Sequence, residues 1–154
     1  MTMTTHTTPT SDTESSGDLA DLAAVEGFYR RLLSQPAELT DETLYSVLAE
    51  DYVSEPTPPA GPGAQGMFDS IKMFGQAVPD LDWEPQEIIR HDDRYTVRGR
   101  ASGTAVAPFL GVENAAGKRF EIMSIDILTV ADGRVVHAYH VEDWASAIAQ
   151  LSVD

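Results

Sequence analysis

Two titratable side chains stand in strand-like stretches where apolar ones are expected, and together they could move a proton. From Phe120 to Val130 the even positions read Phe120, Ile122, Ser124, Asp126, Leu128 and Val130, and the odd ones Glu121, Met123, Ile125, Ile127 and Thr129. Both rows are rich in apolar residues, which predicts a central strand covered on both faces. Asp126 then falls in a buried row, and a buried carboxylate must find hydrogen-bond partners or take a proton. The next stretch, Arg134 to Val141, brings His140. If Val130-Ala131-Asp132-Gly133-Arg134 forms a three-residue loop with Gly133 in the left-handed region, 130 pairs with 134 and 126 with 138. Asp126 and His140 are then diagonal neighbours on one face, with small Ala138 leaving room between them. A two-residue turn would instead set Asp126 opposite Tyr139 and turn His140 to the other face. An Asp–His pair in an apolar pocket suits general acid/base chemistry. His140 would take a proton from an activated carbon or a water, while Asp126 fixes its tautomer and stabilises its charged form. The alternative is a structural salt bridge, or a carboxyl held by hydrogen bonds in the core.

Further candidates surround the pair. Tyr52 and Ser124 are potential donors to an enolate oxygen. Glu55 follows a helix beside a Pro-rich turn, where a pocket rim would lie; the alternative is a surface acid. Trp83, Phe109 and Met123 are either core or ligand contacts. Asp143 precedes the last helix and reads as its N-cap. His137 alternates to the face opposite His140, His91 belongs to a polar turn and His6 to the N-terminal segment. Arg90, Arg94, Arg98 and Arg100 share one parity, the mark of a solvated sheet face. No glycine-rich phosphate loop, GxSxG elbow or His cluster with metal-ligand spacing occurs, so neither a cofactor nor a metal is expected.

The elements that must position these residues are ordered unevenly. Residues 1–17, rich in Thr and Ser, read as a disordered tail without the charged start and apolar middle of a secretory signal, on a cytoplasmic protein. A single domain is expected over 18–154. Leu19, Leu22, Val25, Tyr29, Leu32 and Leu33 predict a helix from Asp18, its N-cap, to about Gln35, stopped by Pro36. A second helix runs from Asp41 to Glu50 behind Thr40, and Asp51 to Glu55 turns extended. Glu55 to Gly63 is rigid turn material. A third helix spans Ala64 to Ala77. Strands follow at Asp82–Arg90, Arg94–Thr104, Phe120–Val130 and Arg134–Val141, then a short helix from Trp144 to Leu151. Helices first and long strands after predict an α+β cone, its helices packed on a curved antiparallel sheet around an apolar interior.

Composition narrows the partners. Ten Lys and Arg stand against 25 Asp and Glu, a formal charge of -15, which argues against phosphate backbones as partners. No cysteine is present, so thiolate catalysis and disulfides are excluded. No apolar run approaches the ~18 residues of a membrane span.

An ordered series of short motifs adds a resemblance. Gly61-Pro62-Gly63 leads into a helix ending Val78-Pro79-Asp80-Leu81. Then come Gly103-Thr104, Pro108-Phe109-Leu110-Gly111, Gly117-Lys118-Arg119-Phe120-Glu121, Ile125-Asp126-Ile127 and Asp132-Gly133-Arg134-Val135. From about Leu19 to Leu151 this succession resembles the SnoaL-like polyketide cyclase (ester cyclase) family of the NTF2-like superfamily. The resemblance implies an NTF2-like cone, a deep apolar pocket and a homodimer or homotetramer. It implies an intramolecular aldol ring closure of a polyketide-like or aromatic substrate, without metal or cofactor. The family's acid/base Asp on the last strand falls at His140 and its neighbouring His at Asp126, so the pair is present with its members exchanged. Where the family often has Glu-His-Trp, this chain has His137-Ala138-Tyr139. Isomerisation could use the same groups. A non-catalytic ligand-binding or assembly domain is the second reading. It would show a pocket filled by its own side chains and Asp126 paired with an arginine. A third is an epoxide hydrolase, with Asp126, Asp143 and Arg98 or Arg100 around a water.

Overall fold

The computed structural model describes residues 15–153. The first helix, α1 (Ser16–Gly27), starts earlier than its apolar stripe suggests. Ser15 is the N-cap, its Oγ accepting from the Asp18 N–H at 3.2 Å, while Asp18 Oδ2 accepts from the Ser15 N–H at 3.0 Å. Asp18 is thus the reciprocal partner in a capping box rather than the cap. Ser15 to Gly17, read as tail, belong to the helix start; residues 1–14 of that tail lie outside the described residues. From Phe28 to Leu33 the helix widens into a π turn, which rotates Tyr29 and Leu32 into the core.

A short 3-10 turn (Pro36–Glu38) leads to α2 (Asp41–Val47), capped by Thr40. The helix ends three residues before the expected Glu50. Leu48 already belongs to β1 (Leu48–Glu55), which lies parallel to the last strand with Ser54 beside Ala138. Tertiary pairing and the burial of Leu48, Tyr52 and Ser54 override a helical periodicity. Next come α3 (Gly63–Ala77), β2 (Asp82–His91), β3 (Arg94–Thr104), β4 (Arg119–Ala131), β5 (Arg134–Glu142) and α4 (Trp144–Leu151). The sheet order is β1-β5-β4-β3-β2, so four antiparallel strands carry a parallel edge. The architecture is α+β and NTF2-like, a curved, unclosed sheet with helices over its inner face. No helix among the described residues is long and apolar enough to cross a membrane.

The inner row of β4, Phe120 to Val130, is buried as expected. The outer row is not covered in the single chain: Met123 is 51% and Ile125 41% exposed. Arg98 and Arg100 lie on that outer side, paired with Glu87 and with Glu84 and Glu121.

Between β1 and α3, residues 56–62 form a strap. Its far end is pinned to α3, where the Ser70 Oγ accepts from the Ala60 N–H at 3.0 Å and donates to the Gly66 carbonyl at 2.7 Å. A Cβ on Gly66 would meet the Gly61 carbonyl oxygen at 1.8 Å, backbone against backbone. Gly66→Ala should therefore cost about 3 kcal/mol, through displacement of the strap or the first turn of α3. Urea denaturation checks this; an unchanged midpoint would show that the close approach is not required.

Candidate active site

The β4–β5 hairpin decides what faces inward. Asp132 and Gly133 both have positive φ, +51° and +69°, and form a two-residue turn of the primed kind, not a three-residue loop. Ala131 pairs with Arg134 and Val130 with Val135, but Thr129 pairs with His137. Val136 is the extra residue of a bulge, and it restores the parity that the tight turn would have reversed. Asp126 is consequently paired directly with His140, not diagonally, and both side chains line one cavity.

That cavity measures about 260 Å³. Phe28 and Leu33 of the π turn, Met67, Ile71 and Phe74 of α3, Trp83 of β2 and Trp144 supply its apolar wall, and Pro56, Thr57, Pro58 and Pro59 close one side. Trp144 is stacked on Phe74 at 5.9 Å and meets Trp83 edge-on at 6.3 Å. Its position is fixed by Asp143, which caps α4 through the Ser146 N–H at 3.1 Å, as expected. His140, Glu142 and Trp144 thus enter the cavity at alternate positions.

Asp126 and His140 are not hydrogen-bonded to each other. Asp126 Oδ2 accepts from the Tyr29 hydroxyl at 2.6 Å and from the Ser124 hydroxyl at 3.0 Å. Oδ1 has no hydrogen-bond donor among the described residues, and it is the oxygen left for the cavity. Burial pushes the Asp126 carboxyl up to about 6, against the two hydroxyl donors that favour its ionised form. Tyr29 is held far above the usual phenol range by burial and by the Asp126 charge, so it remains a donor.

His140 has other partners. Nδ1 is 2.6 Å from Glu142 Oε1, and Nε2 is 3.0 Å from the Pro56 carbonyl. A carbonyl only accepts, so Nε2 carries a proton. Burial lowers the affinity of the ring for a second proton, but the Glu142 carboxylate and the Pro56 carbonyl outweigh it, and the His140 pKa is raised. Both ring nitrogens thus face acceptor oxygens, an arrangement that favours the imidazolium. The expectation that Asp126 orients His140 is therefore corrected. Glu142 does so, through Nδ1, and the Pro56 carbonyl occupies Nε2. Sequence reasoning missed Glu142 and Tyr29. Glu142 was legible as the residue two beyond His140 on the same strand face; Tyr29 looked like one more member of an apolar helical stripe.

The remaining candidates separate. Trp83 lines the cavity and Ser124 holds Asp126. Tyr52 is buried without lining the cavity, and Phe109 packs behind it on Phe120 and Trp144. Met123 faces outward. Glu55 is paired with His137 at 2.9 Å, away from the cavity lining. An epoxide-hydrolase arrangement does not form, since Asp143 caps a helix and Arg98 and Arg100 are outside. Nor is Asp126 paired with an arginine in a filled pocket. Among the described residues no three His, Asp or Glu side chains are grouped to hold a metal ion.

Helices laid on a curved sheet around an apolar cavity, with a carboxyl and an imidazole in its wall, define an NTF2-like protein. The family model of the SnoaL-like polyketide cyclases matches residues 23–151, and the chain belongs to that family. Solved structures agree on the fold. IdmH of Streptomyces antibioticus, a candidate polyketide cyclase, is 27% identical with a TM-score of 0.73, over 86% of this chain and 99% of its own. TsrD of Streptomyces laurentii is 24% identical with a TM-score of 0.70, over 90% and 97%. AclR of Streptomyces galilaeus, a candidate hydroxylase, is 20% identical with a TM-score of 0.67, over 88% and 82%. Among curated proteins no sequence matches significantly. Family and neighbours together support a cyclase-like enzyme.

Proposed function

We propose that the cavity performs acid/base chemistry on a small carbonyl compound, polyketide-like or aromatic, ending in an aldol-type ring closure. Asp126 Oδ1 takes a proton from the carbon beside the carbonyl, and the electron pair moves onto the carbonyl oxygen as an enolate. The enolate carbon attacks a second carbonyl of the same molecule, and Asp126 returns its proton to the new alkoxide. His140, kept cationic by Glu142, lowers the energy of the negative charge on oxygen. The chain's own side chains suffice for these steps, so no cofactor is invoked. Enolisation followed by isomerisation would use the same groups.

The observation carrying this reading is a carboxyl near pKa 6, with one oxygen free, set directly across paired strands from an imidazolium in an otherwise apolar cavity. A base poised near neutral pH is what proton abstraction requires. Deuterium uptake from D2O into aryl ketones such as 1-tetralone, followed by NMR, tests it. Exchange above the solvent rate is expected, and no exchange by the wild-type protein across a ketone panel would overturn the proposal.

The exposed outer row bears on assembly. Ile125 lies beside Val141 and Ile127 beside Tyr139, an apolar face that a second copy of the chain would cover in the proposed homodimer or homotetramer. Val141, 71% exposed, is the probe. Val141→Asp should reduce the mass in light scattering to that of a smaller species; an unchanged mass would place the contact elsewhere.

A further inference from the structure

The Pro56 carbonyl sits where a substrate oxygen would be most useful. His140 spends Nδ1 on Glu142, and its Nε2–H points to a neutral backbone oxygen. Neither Lys nor Arg lines the cavity among the described residues, so His140 is the cationic donor of its wall. We infer that the Pro56 carbonyl is a placeholder for the reacting oxygen, and that an enolisable aryl ketone, or a phenol mimicking its enolate, displaces it from His140 Nε2. The inference rests on the proposed enolisation and specifies where its oxygen comes to lie.

Three features make the exchange feasible. A hydrogen bond from a cation to an anionic oxygen is roughly twice as strong as one between neutral groups. An enolate or phenolate is therefore a better acceptor than the amide carbonyl. The displaced carbonyl is not left without a partner, because the Ser54 hydroxyl already donates to it at 3.2 Å. The strap's far end stays pinned by Ser70, so only residues 56–59, themselves part of the wall, need yield.

Charge closes as well. Asp126 and Glu142 are the acids of the wall. A ketone enters neutral, its α-proton passes to Asp126, and the electron pair left behind resides on the oxygen bound to Nε2. A phenol does the same with its hydroxyl proton. In neither case does the cavity gain net charge.

The test uses 2-naphthols with increasingly electron-withdrawing 6-substituents, at a pH where each is neutral in water, and 2-methylnaphthalene as the apolar control. Trp83 and Trp144 in the wall report binding by fluorescence quenching. Affinity should rise roughly tenfold across the series, as the bond to the cation strengthens with the charge on oxygen. The His140 Nε2 resonance should move with acidity. The Thr57 amide should shift with naphthols but not with the control. In His140→Gln the dependence on acidity should flatten, and Glu142→Gln, which keeps an acceptor for Nδ1 but removes the charge, should weaken it.

An affinity independent of acidity in the wild-type protein, or a His140 resonance that ignores the ligand, would overturn the inference, whether or not the variants fold. The two readings fail separately. Ketone deuteration that persists beside a flat naphthol series condemns the oxygen subsite alone. A steep series without deuteration condemns the enolisation alone.

Discussion

Asp126→Asn should lower the rate of proton exchange and turnover by ~10²–10⁴ and at the same time make the protein more stable at pH 8. The amide keeps the shape and can accept from Tyr29 and Ser124, but it cannot take a proton. The stability gain follows from linkage. The folded Asp126 carboxyl lies at about 6, above its ordinary 3.8. Its contribution to stability is therefore fully present below pH 3.8 and is lost as the pH rises through 6, where the native state must hold a buried carboxylate. That difference in proton affinity between the folded and unfolded chain corresponds to ~3 kcal/mol at most, and imperfect accommodation of the amide reduces the gain to about 2 kcal/mol. Thermal unfolding at pH 8 and pH 4 checks the sign, with the advantage present at the first and nearly gone at the second. A variant as active as the wild-type protein would remove Asp126 from the chemistry. A variant no more stable at pH 8 would mean that the carboxylate costs nothing where it is.

Glu142→Gln should reshape the pH profile. The proposed mechanism needs Asp126 ionised and His140 charged, so kcat/KM should rise through about pH 6 and fall again above the raised pKa of His140. Removing the Glu142 charge removes the main influence that raises the imidazole, so the alkaline limb should move to lower pH. The acid limb should move down as well, by less, because the Glu142 charge also raises Asp126. The bell then narrows chiefly from its alkaline side, and its maximum should fall by ~10–10² as the populations of the two required forms overlap less. Stability follows the same ionisation. The wild-type His140 contribution is complete below the ordinary imidazole value and is lost as the pH rises through the raised one, and the variant should lose it earlier. Titration of the His140 ring by NMR in both proteins measures the change directly; an alkaline limb that stays in place would assign it to another group.

How far the sequence carried this picture depended on what each signal encodes. The strands of β2 to β5 and the helix α4 came within a residue or two of their bounds, because alternation and turn chemistry are local. Leu48 to Glu50 were misplaced into a helix, since what makes them a strand is β5, more than eighty residues away. Asp126 stood out because a carboxylate in an apolar row is conspicuous at once. Its real partners, Tyr29 and Ser124, did not, since the side chain of an apolar stripe gives no sign that its hydroxyl will be met. The division of roles between Asp126 and His140 was out of reach. It depends on which acid reaches Nδ1 and on a backbone carbonyl at Nε2, and a backbone atom leaves no mark in a sequence.

The bulge at Val136 gives the hairpin a consequence beyond its pairing. Because the tight turn and the extra residue cancel, the inward identity of the last strand hangs on a count of one. Straighten the bulge with Val136 retained and Tyr139 would come opposite Asp126, so that His140 and Glu142 would exchange sides with Tyr139 and Val141. The Asp126 carboxyl would then face the cavity without its imidazole neighbour. Deletion of Val136, by contrast, would leave Asp126 opposite His140. Whether the proposed base has a cationic neighbour is thus decided by a bulge in a surface hairpin rather than by which residues β5 carries.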